Sequence, residues 1–124
     1  MIEVHRDDLK RRLVWVVTDQ TTVGDLIESV DHQAVDGTWS YTVLYDARQR
    51  TNLLNPEELR QLAERVAQHV AQLGPRNKLA VVIPLHMHDF KRMYEIFAAV
   101  VDPNNRAFTN VPDAEQWLDG LTSA

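Results

Sequence analysis

The stretch NPEELRQLAERVAQHVAQLGPRNKLAVVIPL, residues 55–85, decides the fold. Asn55 is suited to accept bonds from free helix N–H groups, Pro56 to the first helical position, and Glu57 and Glu58 to the positive end of a helix dipole. Leu59, Leu62, Ala63, Val66, Val70 and Leu73 then recur at helical spacing, and Gly74-Pro75 ends the pattern. Lys78 to Leu85 is nearly continuous in apolar residues. That predicts a strand covered on both faces and parallel to the strand before the helix, because a crossover helix joins the two.

The pattern extends both ways from there. Upstream, Tyr41 to Tyr45 reads as a strand apolar on both faces. Ile2 to Arg6 and Leu13 to Val17 read as two strands joined by a turn. Between these lies a helix that Thr22 and Asp25 begin as a capping box, with Val23, Leu26, Ile27 and Val30 on one face and Asp36-Gly37 as the turn after it. Downstream, Phe90, Met93, Tyr94, Phe97 and Val101 predict a third helix with one apolar face, broken by Asp102-Pro103-Asn104-Asn105. A short strand, Arg106 to Thr109, and a last helix opened by Pro112 and bearing Ala114, Trp117, Leu118 and Leu121 complete the chain. The order is ββαβαβαβα, an α/β fold with a central mixed sheet of about five strands and about four helices.

The 124 residues carry 13 Lys+Arg and 18 Asp+Glu, a net charge of −5, which opposes bulk attraction to nucleic acid or anionic lipid. No cysteine is present, so disulfides, thiol nucleophiles, Fe–S clusters and thiolate zinc sites are excluded. The N-terminus MIEVHRDDLKRR lacks a signal-like apolar core and no apolar run reaches spanning length, so a cytoplasmic protein is expected. No linker or repeat divides residues 1–124, which are read as a single domain.

YTVLYDAR at 41–48, the capped helix NPEELRQLAERV, the strand KLAVVIP, the helix with KRMYEIF and the terminal DAEQWL resemble, in this order and spacing, the SpoIIAA-like subgroup of STAS-related domains. The resemblance rests on local sequence over residues 40–121 and on topology over the first 39. It implies a small cytoplasmic α/β domain with no assigned enzymatic activity, with dimerisation as an option, related in shape to the CRAL-TRIO lipid-binding fold. An apolar-ligand pocket or a peripheral membrane contact is the further implication. Anti-sigma-factor antagonists of the family carry an aspartate at the end of a strand and then a phosphorylatable serine. Asp46 matches the aspartate, but no serine follows, and Thr51 lacks the family's neighbouring glycine. Phosphorylated Thr51, paired with Arg48 or Arg50, and an ordinary loop threonine are the two readings of that position.

In open parallel sheets ligands bind where strands end and helices begin. Two such junctions are expected to share one sheet edge: Asp46, Arg48, Arg50 and Thr51 at the first, and His86, His88 and Arg92 at the second. Arginines gathered there favour a phosphate or carboxylate, with a solvated ion-pair edge as the alternative. Phe90, Met93, Tyr94 and Phe97 are expected to flank an apolar ligand tail or, alternatively, to fill the core. His86-Met87-His88-Asp89 invites a metal, but a lone H-x-H without a third ligand leaves helix capping as the simpler reading. Lys10-Arg11-Arg12 with Arg6 reads as a solvated turn or a weak membrane contact. No nucleophile elbow, Gly-rich phosphate loop or marked carboxylate pair is present, and no cofactor is implied. The sequence therefore points to a non-enzymatic regulatory domain acting through a protein partner or a homodimer. The alternatives are a carrier of an apolar or amphipathic anionic ligand and, more remotely, a metal-dependent hydrolase at His86 and His88.

Overall fold

The computed structural model describes residues 2–52 and 54–120, with every side chain among them except that of Phe97. Leu121, assigned above to the last helix, lies outside the described residues. The elements are β1 (Glu3–Asp7), β2 (Arg12–Thr18), α1 (Val23–Val35), β3 (Thr42–Gln49), α2 (Pro56–Leu73) and β4 (Leu79–Val82). A 3-10 turn (Leu85–Phe90) then leads into α3 (Lys91–Ala98), β5 (Asn105–Phe108) and α4 (Val111–Leu118). The expected order ββαβαβαβα is the observed one. The five strands lie in the order β1-β2-β3-β4-β5, with β1 antiparallel to β2 and all other neighbours parallel. Among the described residues no helix is long and apolar enough to cross a membrane.

Strand alternation divides the core. Leu13, Trp15 and Val17 of β2 and Val43 and Ala47 of β3 pack against Leu26 and Val30 of α1 and Leu62 and Val66 of α2. Val81, Ile83 and Ala107 continue that face beneath Tyr94 of α3. Leu44, Ala80 and Val82 point the other way, onto Ala114 and Leu118 of α4. Both expected helix starts are built as read. Thr22 exchanges bonds with Asp25, and Asn55 with Glu58, each as a complete capping box.

Gly74 ends α2 at φ 88° and ψ 178°, a region open essentially to glycine alone, and nothing lies within 4 Å of a Cβ placed there. Gly74→Ala is therefore a pure backbone-strain change. It should lower the unfolding free energy by about 1–3 kcal/mol, read from the urea midpoint at unchanged slope.

Three sequence expectations change. The strand expected over Lys78 to Leu85 is Leu79–Val82, and Leu85 opens the 3-10 turn, exposed. Strand β3 runs four residues beyond Tyr45, so Asp46 to Gln49 are sheet rather than loop. Arg12, assigned to a solvated turn, is 3% exposed; its Nη2 donates to Asp119 Oδ1 at 2.5 Å, and Nε to Thr42 Oγ1 at 3.3 Å. The side chain falls on the α4 face because β2 begins at Arg12 itself.

Candidate functional site

The longer β3 separates the residues expected to form one anion-binding edge. Asp46 and Arg48 project from the α4 face and satisfy each other. Arg48 Nε and Nη2 donate to the Asp46 carboxylate at 2.9 and 2.7 Å, while Asp46 is 7% exposed. Arg48 holds the Asp46 carboxyl below its usual value through these bonds, against the opposing effect of burial. The sign of the pH effect follows directly. A depressed carboxylate pKa contributes stability at neutral pH that is lost as pH falls below about 4. An Asp46→Asn variant should therefore show a smaller drop in urea midpoint between pH 6 and pH 3 than the parent protein.

Thr51 is exposed and tied to the β2–α1 connection, its hydroxyl donating to Asp19 Oδ2 at 2.6 Å and its N–H to Oδ1 at 2.7 Å. A phosphoryl group there would meet Asp19 rather than an arginine pair. His86 and His88 lie exposed on the 3-10 turn, and His88 Nε2 sits 2.9 Å from Asp89. Among the described residues no three His, Asp or Glu side chains converge as metal ligands. The Arg92 side chain is 82% exposed and 3.7 Å from Glu95, and with His88 and Arg106 it borders an open surface hollow. Phe90 and Met93 are 47% and 38% exposed and turn away from the sheet, while the Phe97 side chain lies outside the described residues. The reason is geometric. Phe90 belongs to the 3-10 turn, whose three-residue winding departs from the stripe of α3, and Met93 lies about 100° around the helix from inward-facing Tyr94.

One predicted residue does line a partly open hollow. Arg50 is 8% exposed and lines a cavity of about 110 Å³ between the sheet and the helices above it. The floor is a row of registered neighbours, Trp15, Tyr45 and Val81, across β2, β3 and β4. Leu26 and Val30 of α1, Leu62 of α2 and Ala98 of α3 supply apolar walls. Arg50 leaves β3 where its N–H bonds back to Ala47 O at 3.0 Å, and this turn swings the guanidinium over the cavity. There it donates to three backbone carbonyls: Nε to Asn52 at 2.7 Å, and Nη1 to Thr21 and Thr18 at 3.1 and 3.3 Å. Among the described residues no carboxylate lies within ion-pair distance of Arg50, and its Nη2 has no acceptor. A buried charge is normally paired, because desolvating it alone costs several kcal/mol. Here the cation is held by backbone carbonyls, and the charge it feels from Asp19 acts without a direct ion pair.

Two phenols complete this end. The hydroxyls of Tyr45 and Tyr94 make no hydrogen bond among the described residues, and both rings line the cavity. Burial pushes the Tyr45 phenol up to about 12 and raises that of Tyr94, with the Arg50 charge opposing in both. Both are therefore proton donors throughout the physiological range.

The far end is polar too, through residues the sequence did not single out. Arg76 Nη1 donates to Asp102 Oδ2 at 3.0 Å with both side chains buried, and Nη2 donates to Gln33 Oε1 at 2.8 Å. The guanidinium lies 5.7 and 5.3 Å from the ring centroids of Trp15 and Trp39. Burial lowers the Arg76 pKa and raises that of Asp102, and in both it outweighs their mutual attraction, which acts the other way. The partners are 26 residues apart on two irregular segments, so no spacing rule links them.

Compared with known proteins, the chain matches no family model, no curated protein and no solved structure.

Proposed function

We propose that this chain binds a small amphipathic anion in the cavity. The apolar body lies on Trp15, Tyr45 and Leu62, and the anionic group takes hydrogen bonds from Arg50 Nη2 and the hydroxyls of Tyr45 and Tyr94. The observation that carries the reading is the buried Arg50 guanidinium, with no carboxylate within ion-pair distance among the described residues, lining an apolar space. Carboxylate and phosphate are the groups such an arginine binds best. At about 110 Å³ the space is smaller than the ~150 Å³ cavity known to take benzene, which restricts the buried part of a ligand to a compact acid. The SpoIIAA-like, STAS-related resemblance supports a binding role, and the observed strand order is compatible with it.

The test is a thermal-shift and calorimetry screen with carboxylates of two to sixteen carbons and short alkyl phosphates. A true ligand at 100 times its Kd adds about 2.7 kcal/mol of stability. No shift with any member rejects the reading.

A second reading, self-association or a protein partner, is favoured by one separate observation. Leu85, Phe90, Met93, Ile96 and Val100 leave an exposed apolar surface along the 3-10 turn and α3. Native mass spectrometry should then show a dimer that Ile96→Glu dissolves. A monomer at every concentration, capturing no partner from extract, rejects it.

A further inference from the structure

The far end of the cavity narrows the chemistry of the ligand. Asp102 is 4% exposed, and only its Oδ2 is engaged, by Arg76. Its other oxygen, Oδ1, accepts no hydrogen bond among the described residues, although the side chain lines the cavity. The carboxylate cannot swing away to find a partner, because Arg76 is itself held by Gln33 Oε1 and stacked between Trp15 and Trp39. Oδ1 is not among the fully buried unpartnered atoms, so it keeps accessible surface, and an accessible acceptor on a mostly apolar lining favours a donor. The donor it fits is neutral. Arg76 already balances the Asp102 charge, so an incoming ammonium would meet a guanidinium 3.0 Å from that carboxylate and gain little.

Building on the anion site assigned to Arg50, we infer that the ligand is a short hydroxy-carboxylate, its carboxylate on Arg50 and its hydroxyl donating to Asp102 Oδ1. Between the two poles the lining is mostly apolar, with Leu62, Val81 and Ala98 among it. The two poles stand on different elements, Arg50 after β3 and Asp102 after α3, so their separation selects the distance between the ligand's two groups.

Isothermal titration of the full chain with unsubstituted acids of three to eight carbons, and with their ω-hydroxy counterparts, tests this. One chain length should bind about 10- to 100-fold tighter as the hydroxy acid than as the parent acid, the range of a hydrogen bond to a charged acceptor. Homologues shorter or longer should show no such gain, and Asp102→Asn should reduce it. If that variant does not fold, the chain-length series on the unaltered protein decides alone. Parent and hydroxy acids binding within twofold of each other at every length, while Arg50→Met abolishes binding, overturns the hydroxyl assignment and leaves the anion site standing. Failure of every acid to bind, or binding that Arg50→Met leaves unchanged, overturns both.

Discussion

Asp102→Ala is expected to lower the unfolding free energy by about 3–5 kcal/mol, the cost of breaking a buried ion pair from one side. The variant strands Arg76, whose side chain is 7% exposed and cannot reach water without unstacking from Trp15 and Trp39. The loss is a large share of the 5–15 kcal/mol that holds a domain together. Urea denaturation followed by tryptophan fluorescence reads it, since two of the three tryptophans lie against this guanidinium. Removing both charges together, as Arg76→Met with Asp102→Leu, should restore most of the stability, because apolar replacement of a whole buried pair is often neutral. A single-variant loss below about 1 kcal/mol would mean that water reaches the pair, contrary to its burial.

Arg50→Met should weaken binding of the anionic ligand by about 2–5 kcal/mol, or roughly 30- to 5,000-fold in Kd, the cost of truncating one partner of a buried charge pair. It also unties three carbonyls, so some stability falls with it. Circular dichroism and the urea midpoint show whether the variant is folded, and the ligand-induced shift is then compared at equal folded fraction. Arg50→Lys separates charge from geometry. Lysine restores the cation but not the planar fork, so it should recover part of the affinity. Undiminished binding by folded Arg50→Met would remove the arginine from the site.

How legible the site was differs from residue to residue. Arg50 was identifiable because it follows a strand, where parallel sheets place ligands, and the structure puts it at the cavity. Arg48 and Arg92 satisfied the same rule and face elsewhere. Extended backbone alternates faces every residue, so whether Arg48 joins Arg50 depends on where β3 stops and the chain turns. That stop is set by the parallel pairing of β3 with β2, whose register shifts between Val16 and Thr18, and by the Arg50 N–H to Ala47 bond. Phe90 and Met93 show the same limit on a helix. Their spacing fits an apolar stripe, but the 3-10 turn before α3 changes the winding and leaves both outside. Tyr94 is on the helix face expected at a cavity and does line it, whereas Tyr45 reads only as a strand residue, since nothing local shows whether a buried phenol finds a partner.

What the sequence determined by itself is the part governed by short-range physics. Caps at Thr22 and Asn55, the stripe of α2, the glycine stop at Gly74 and the apolar run into β4 each follow from a few neighbouring residues. They were enough to order nine elements into a five-stranded α/β sheet. Only the tertiary structure decided the pairing of Arg76 with Asp102, the free face of Arg50 and the space between them. These depend on which segments distant in the chain are desolvated together. The energy of a charge is set by what surrounds it in space, and sequence neighbours do not report that.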